Sequence, residues 1–258
     1  MVGMFTLNGF IHPKVMTPAS VTFFKGHVTM RCALHNPKKL EIIMVDVKIC
    51  GISSPEDYQA CRVAGARWVG MVHYQGSPRH LDITALASLA NQIKTLPSAG
   101  PQRVLLTVDQ TLASLRELIA AARPDCLQLH GQETVSSAIA IKAEFGLPII
   151  KMIPIKTSAD LAACVKWNGV ADWLIFDAKV VKGTQPGGTG HRFDWTILSH
   201  YQGRTPWMLA GGLTIDTVVE AMTISGAGAV DVSSGVEHQL GKKDKNKIHD
   251  FIRAAQIG

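Results

Sequence analysis

The sequence predicts an α/β protein in which a single domain, residues 44–258, forms a (β/α)8 TIM barrel. From Met44 onward, short apolar runs of β-type residues alternate with amphipathic helical segments, and this alternation repeats eight times in about 215 residues. Short apolar strands between helices are typical of a parallel sheet covered by helices. The glycine pattern that binds dinucleotides in doubly wound sheets does not follow the first strand. Eight units therefore favour a closed barrel over an open sheet.

Each predicted strand is a short apolar run, and each predicted helix is the amphipathic segment that follows it. In chain order, the strands are residues 45–49, 67–72, 103–108, 126–129, 148–153, 173–176, 206–209 and 229–232. The first helix follows Ser54, and the others cover residues 83–94, 111–122, 134–145, 158–166, 194–200, 214–224 and 244–256. Ser54 suits the N-cap because its hydroxyl accepts a backbone N–H bond, and Pro55 suits the first helical position.

Residues 1–43 differ in character from the rest of the chain. They show neither strand nor helix periodicity for long, and they carry four of the six net positive charges. They lack the features of a secretory signal, and they contain little of the arginine and serine that transit peptides have. We expect natural translation to begin at Met44, with a transit segment or a genuine extension as the alternatives.

Composition and charge exclude several classes of protein. No stretch approaches the roughly 18–20 consecutive apolar residues that a membrane-spanning helix needs. The five cysteines are odd in number, widely spaced and without a CxxC pair. This usage argues against disulfides and structural zinc and for a reducing compartment, the cytoplasm. Beyond residue 43 the net charge is only +2, and no basic run with aromatics indicates a nucleic-acid surface. The sequence predicts a small-molecule partner and leaves open a monomer or a homodimer.

Two chemically active side chains stand at the carboxyl ends of predicted strands, where barrel enzymes place their active sites. Cys50 follows the first strand, and Asp177 follows the sixth. Taken alone, Cys50 also fits a small buried hydrophobic residue, and Asp177 fits either a structural or a functional carboxylate. Because both fall at the same end of one barrel, they predict a proton-transfer pair.

Glycine and serine occupy the turns after the seventh and eighth predicted strands. The residues are Gly211, Gly212, Leu213, Ser233, Ser234 and Gly235. In TIM barrels this pair of loops commonly binds phosphate through backbone N–H groups. The alternative is that the glycines only form tight turns. Glycine in both loops, together with two serines, favours a phosphate site.

Three further side chains are candidates for the site. Arg79 follows the second strand next to Pro78, and it is either a solvated surface charge or a fork for a substrate carboxylate. Gln128 and His130 end the fourth strand, and His130 is either structural or functional. The other nine histidines lack ligand spacing, so the sequence predicts no metal site. P-loop, HExxH and GxSxG motifs are absent, which leaves kinase, metalloprotease and serine-hydrolase chemistry without support.

Eight short segments recur in the order found in one known family. They are VKICG (47–51), SPR (77–79), LQLHG (127–131), the strand-end Asp177, PGGTG (186–190), FDW (193–195), AGGL (210–213) and DVSSGVE (231–237). Together they resemble phosphoribosylanthranilate isomerase over about residues 44–256. KICG with DVSSGVE is specific, since related phosphate-binding barrels lack the combination. The third strand departs from the family, because it reads LLTVD (105–109) where many members have a Val-Phe-Val-Asn-like stretch.

The resemblance implies an Amadori rearrangement of N-(5-phosphoribosyl)anthranilate to 1-(2-carboxyphenylamino)-1-deoxyribulose 5-phosphate, in tryptophan biosynthesis. It assigns Asp177 as the general acid that protonates the furanose ring oxygen, and Cys50 as the base that removes the proton from ribose C2. The iminium formed on ring opening serves as the electron sink. The resemblance therefore implies neither a metal nor an organic cofactor.

The resemblance also implies how the substrate is held. Arg79 would face the anthranilate carboxylate, and the turns 211–213 and 233–235 would surround the phosphate. Gln128 and His130 would contribute further substrate contacts. A glycine-rich loop would lie over the site, with the residues Gly187, Gly188, Thr189 and Gly190.

Two other functions stay open. Another sugar-phosphate isomerase or epimerase barrel would have the same phosphate loops, although the histidine-pathway isomerase would require an aspartate in place of Cys50. A barrel that binds a phosphorylated ligand without turnover is the non-enzymatic alternative. Cys50 and Asp177 argue against it, and a ligand-induced melting shift without turnover would identify it.

Overall fold

The computed structural model describes residues 21–24, 27–30, 45–96, 100–178 and 194–257. The chain divides into two compact units, Met1–Met44 and Val45–Gly258. In the first unit, Val21–Phe24 and His27–Met30 pair as antiparallel strands. The sequence does not predict this hairpin, because four residues are too few for an alternating pattern to stand out.

Eight parallel strands close into a barrel, as the sequence predicts. Each strand pairs with the next in the chain, and β8 returns to pair with β1. The strands are β1 (Asp46–Cys50), β2 (Trp68–His73), β3 (Gln102–Thr107), β4 (Cys126–Leu129), β5 (Ile149–Ile155), β6 (Trp173–Ala178), β7 (Trp207–Ala210) and β8 (Ala229–Val232). The predicted ranges of β4 and β8 are confirmed, and the other strands differ from prediction by one or two residues at their ends.

Polar side chains cap the first four helices of the barrel. Within the described ranges they are α1 (Pro55–Ala64), α2 (Ile83–Lys94), α3 (Leu112–Ala122), α4 (Val135–Phe145), α5 (Ser158–Ala163), α6 (Val218–Ser225) and α7 (Lys245–Ile257). Ser54 caps α1 as predicted, since its Oγ accepts the Asp57 N–H at 3.1 Å. Asp82, Thr111 and Thr134 cap the next three helices in the same way. These caps fix where each loop at the top of the barrel ends.

The later helical segments differ from prediction. The sixth is a 3-10 helix, Trp195–His200, and α5 continues as a 3-10 helix over Cys164–Trp167. Helix α6 begins four residues late because Thr217 Oγ1 accepts the Thr214 N–H at 3.0 Å and holds a separate turn. A hairpin of β9 (Glu237–Gln239) and β10 (Lys242–Lys243) follows β8 and is not predicted.

Strand alternation separates two apolar layers. Outward side chains such as Ile49, Leu105 and Phe176 are buried with residues of the helices. Inward side chains such as Trp68 and Ile175 pack together inside the barrel. Cys50 follows the outward Ile49, so it faces inward at the carboxyl end of β1, where the cavity of the site opens.

Candidate active site at the top of the barrel

A cavity of about 870 Å³ opens at the carboxyl ends of the strands. It is larger than two further cavities of about 580 and 220 Å³ elsewhere on the protein, and it has the size of a small-molecule site. The predicted site residues that line it are Cys50, Arg79, His130, Asp177, Gly211, Gly212, Leu213, Ser233 and Ser234. The structure therefore brings together residues from six of the eight strand-to-helix units.

Three groups of predicted residues do not line this cavity. Gln128 is fully buried beneath it, and its Nε2 lies 2.9 Å from His130 Nδ1. Gly235 packs against the carbonyl of Leu213 and joins the two glycine-containing turns. The predicted loop with Gly187, Gly188, Thr189 and Gly190 lies outside the described residues.

The Cys50 thiol sits in a gap that a neighbouring glycine leaves open. Cys50 is only 6% exposed, and Gly70 lies beside it on β2. A Cβ at position 70 would stand 2.9 Å from Cys50 Sγ and 3.3 Å from Lys48 Nζ. Sγ and Nζ therefore flank the same small space. A side chain at position 70 would force the thiol or the ammonium to move.

Lys48 lies inside the barrel, one inward position before Cys50. Its side chain is completely buried, and Nζ contacts Asp231 Oδ1 on β8 at 2.8 Å. Burial raises the pKa of the Cys50 thiol above its ordinary value, and the nearby Lys48 acts in the opposite direction. The pairing of Lys48 with Asp231 is not predicted from the sequence. Charged residues at inward strand positions were the signal available.

Asp177 lies at the end of β6, on the same cavity as Cys50. The strand register pairs it with Pro154 on β5 and Ala210 on β7. The side chain is half-buried, and it lines the cavity together with Ile175, the preceding inward residue of its strand. The barrel thus presents the Asp177 carboxyl and the Cys50 thiol to the same cavity, which suits acid–base chemistry on a bound molecule.

Arg79 is held in place by a bidentate ion pair. Its Nε and Nη2 donate to Glu237 Oε1 and Oε2 at 2.6 and 2.7 Å, and these bonds do not use Nη1. The Arg79 stem passes so close to Gly51 that a Cβ there would clash, and Gly51 has φ +83°. Arg79 is therefore not a solvated surface charge. Its ion pair with Glu237 and its contact with Gly51 hold the side chain where it lines the cavity.

Lys243 links this ion pair to the turn after β8. Its buried ammonium donates to Glu237 Oε1 at 2.8 Å and to the carbonyl of Ser233 at 3.0 Å. The Ser233 hydroxyl in turn donates to the carbonyl of Cys50 at 2.9 Å. One buried network therefore joins the arginine, the Ser233 turn and the backbone of Cys50. Glu237 and Lys243 belong to the hairpin that the sequence does not predict, and neither is predicted as a residue of the site.

Glu237 is the anion on which this network depends. Burial opposes its ionised form, but hydrogen bonds from Arg79, Lys243 and the Gly241 N–H outweigh that effect and lower the pKa of Glu237 to about 2. Because this pKa is depressed, the stabilisation is present above the ordinary pKa of a glutamate and is lost as the pH falls toward 2.

We expect Glu237→Gln to lower the free energy of unfolding by about 3–5 kcal/mol near pH 7, since two buried cations lose their anion. Denaturant unfolding measured from pH 7 to pH 2 should show the difference from the parent shrinking below about pH 4.5. Glu144→Gln is the matched control, because Glu144 pairs with Arg116 at an exposed site and should cost at most about 1 kcal/mol. A difference that stayed constant down to pH 2 would contradict an ionised Glu237.

The turns after β7 and β8 have the backbone geometry of an anion-binding pair of loops. Gly211 and Gly212 both have positive φ, +102° and +66°, which other residues adopt only with strain. Gly212 and Ser234 line the cavity on adjacent loops. Backbone N–H groups in such glycine turns can approach a phosphate closely.

Another buried ion pair lies at the cavity, between Lys151 and Glu133. Lys151 and Glu133 are 4% and 5% exposed and lie 2.7 Å apart. Glu133 also accepts the N–H groups of Asp109 and Gly131, so it fixes the loops after β3 and β4.

In the described part of the chain, no three His, Cys, Asp or Glu side chains are grouped so that they could hold a metal ion. No helix there is long and apolar enough to cross a membrane.

The chain is similar along most of its length to one family of proteins. A family model described as N-(5'phosphoribosyl)anthranilate (PRA) isomerase matches residues 47–254. An N-(5'-phosphoribosyl)anthranilate isomerase of Rhodopseudomonas palustris (strain BisA53) is 46% identical over 213 residues, which cover 82% of this chain and 96% of the relative. The phosphoribosyl anthranilate isomerase of Thermotoga maritima has a TM-score of 0.71 at 31% identity, covering 82% of this chain and 98% of that one. A phosphoribosyl anthranilate isomerase in complex with reduced 1-(o-carboxyphenylamino)-1-deoxyribulose 5-phosphate has a TM-score of 0.69 at 28% identity, with the same two coverages.

Proposed function

This chain belongs to the N-(5'-phosphoribosyl)anthranilate isomerase family. We propose that it converts the aminoaldose N-(5'-phosphoribosyl)anthranilate into 1-(o-carboxyphenylamino)-1-deoxyribulose 5-phosphate. The reaction is an aldose–ketose isomerisation in tryptophan biosynthesis. The observation that carries the proposal is the cavity that presents Cys50 and Asp177 together, in a chain that a family model matches over residues 47–254.

Asp177 acts first, as the general acid. It donates a proton to the furanose ring oxygen, and the C1–O bond breaks as the anilino nitrogen forms a C1=N iminium. An aspartate with an ordinary pKa of about 3.9 is protonated in only about one molecule per thousand at pH 7. The proposal therefore requires that the substrate complex stabilises the protonated form of Asp177.

Cys50 acts second, as the base. Its thiolate removes the proton from ribose C2, and the electrons of the C–H bond form a C1=C2 double bond while the iminium nitrogen becomes neutral. The resulting enolamine gains a proton at C1 and loses the one on the C2 hydroxyl, which gives the ketone. An ordinary cysteine is only a few per cent thiolate at neutral pH, and burial raises the pKa of Cys50 further. The base therefore needs help from a nearby cation.

Two separate anchors hold the ends of the substrate. The turns at 211–213 and 233–235 bind the phosphate through backbone N–H groups, and Arg79 binds the anthranilate carboxylate from its fixed position on Glu237. His130 contacts the substrate between them, with Gln128 orienting its ring from below. Fixed anchors at both ends leave the reacting carbons beside the thiol and the carboxyl.

Location and assembly complete the proposal. We place the enzyme in the cytoplasm, which the four free cysteines among the described residues support. The substrate is the one partner that the cavity requires, and no described surface calls for nucleic acid or membrane. Either a monomer or a homodimer fits the proposal.

The decay of phosphoribosylanthranilate fluorescence tests the function directly. The purified chain, from a host without its own isomerase, should remove the fluorescence rapidly, and Cys50→Ser should remove almost none. Cys126→Ser is a matched control, because Cys126 is another buried inward cysteine, on β4, outside the cavity lining. No decay with a folded parent would instead favour another sugar phosphate or a binding-only barrel, and a melting shift with the ligand would separate these two.

A further inference from the structure

We propose that Lys48 is a positioning residue that stabilises the Cys50 thiolate, and that its ion pair with Asp231 limits this effect and keeps the ammonium in place. The inference rests on the proposed function for its catalytic meaning. Its structural content concerns only the three side chains of β1 and β8, and it is testable on the unliganded protein.

The position of Lys48 is unusual for a barrel interior. Inward positions of such barrels are filled mainly by branched apolar side chains, and the layer around Lys48 contains Trp68, Ile175 and Met208. Lys48 is nevertheless 0% exposed. A buried ammonium costs several kcal/mol unless anions and hydrogen bonds compensate it. A methionine would fill the same space without that cost, so the charge itself calls for an explanation.

Two acidic groups compensate the charge from opposite sides. The register pairs Lys48 with Asp231, whose Oδ1 lies 2.8 Å from Nζ. On the other side lies Cys50, the next inward residue of the same strand. Burial alone would lower the pKa of Lys48, but Asp231 first and Cys50 second outweigh it and raise that pKa. Lys48 therefore stays protonated while it faces both groups.

Gly70 makes the contact between Lys48 and Cys50 possible. The point where its missing Cβ would stand is within 3.3 Å of Nζ and within 2.9 Å of Sγ. The two atoms thus share one space in a low-dielectric interior, where an opposite charge favours the ionised form of a neighbour strongly. Lysine, with three rotatable donors on one nitrogen, can bond Asp231 and the sulfur at the same time.

Other charges also act on Cys50, and they are weaker or more distant. Lys243 lowers the pKa of the thiol, and Asp231 raises it, each by less than burial or Lys48 does. The other charged or titratable groups that line the same cavity are Tyr74, Arg79, His130, Glu133, Lys151, Asp160, Cys164, Lys166 and Asp177. The two largest influences are burial and Lys48, which oppose one another. Removing Lys48 leaves burial with only Lys243 to offset it.

The test measures the ionisation of Cys50 without using the isomerase reaction. The rate of Cys50 alkylation by iodoacetamide is followed from pH 6 to pH 10 by mass spectrometry of its peptide, which separates it from the other cysteines. Lys48→Met should shift the midpoint upward and slow alkylation at pH 7 by about tenfold or more, since one pKa unit is a tenfold change in thiolate. Asp231→Asn should shift the midpoint downward and speed alkylation several-fold, because it removes the competing anion. Arg116→Met, at an exposed ion pair, should leave the midpoint unchanged.

Opposite shifts from two neighbouring variants are what a merely structural role would not produce. If Lys48→Met melts lower but keeps the parental midpoint, the proposal is wrong. Shifts in the same direction from both variants would also overturn it. If Lys48→Met does not fold, Asp231→Asn alone still decides, since only the proposal requires a downward shift. The acid limb of the kcat/KM profile should move with the alkylation midpoint. If neither the parent nor the variants turn over substrate while the opposite shifts are seen, the proposed function is wrong. The effect of Lys48 and Asp231 on the Cys50 thiolate is then still supported.

Discussion

Replacing Asp177 with asparagine should lower kcat by about 10²–10⁴-fold, the usual worth of one general acid. Asparagine keeps the size and polarity of the side chain at the end of β6 but has no acidic proton to give to the ring oxygen. Because Arg79 and the two glycine-containing turns, the proposed anchors of the substrate, line other parts of the cavity, KM should change little. Fluorescence decay at saturating substrate measures the loss of kcat.

The matched control is Asp250→Asn on α7, an exposed carboxylate far from the cavity lining. It should keep full activity. Melting curves of both variants should stay close to that of the parent, because Asp177 is half-buried at the rim and not part of the apolar layers. If Asp177→Asn retained more than about a tenth of kcat, another group would have to be the acid.

Replacing Cys50 with alanine should cost about 10²–10⁴-fold in kcat as well, for the other half of the reaction. Alanine leaves ring opening by Asp177 intact but removes the base that takes the C2 proton. A substrate deuterated at C2 distinguishes the two variants. Its isotope effect should be expressed fully in the residual activity of Cys50→Ala and less in that of Asp177→Asn.

Cys164→Ala provides the comparison for Cys50→Ala. Cys164 is buried and also borders the cavity, on the 3-10 helix after α5, and burial raises its pKa to about 11. Cys164 does not stand at the end of a barrel strand and the proposal gives it no role, so Cys164→Ala should keep a kcat close to that of the parent. Equal losses of kcat in the two variants would argue that the cavity is sensitive to shape and would contradict a specific role for Cys50.

The barrel is predictable from sequence because each of its units is a local pattern. The short run Cys126–Leu129 is mostly apolar and is bounded by the polar Asp125 and His130, and the observed strand agrees with the prediction. The 3-10 helix at Trp195–His200 and the late start of α6 depend instead on side-chain bonds within a turn, such as that of Thr217. Periodicity does not register such bonds.

The candidate site divides in the same way. Cys50 and Asp177 are recognisable because reactive groups end apolar strands at one face of a barrel. The bond between Arg79 and Glu237 joins residues 158 positions apart, and that between Lys48 and Asp231 spans 183. Nothing local in the sequence indicates such pairing. Gln128 shows the converse error, because it stands at a strand end yet points into the packed interior rather than the cavity.

The closure of the barrel by β8 has a consequence for the order in which the enzyme matures on the ribosome. Chains are synthesised from the N-terminus, so Cys50 and Lys48 emerge early, whereas Asp231, Ser233, Glu237 and Lys243 emerge last. Until β8 docks beside β1, the lysine has no counter-ion and the arginine of the second loop has no carboxylate. A nascent chain with only the first seven strands therefore lacks the residues that complete the site, and we expect it to be inactive. The active site is complete only when β8 pairs with β1 and closes the barrel.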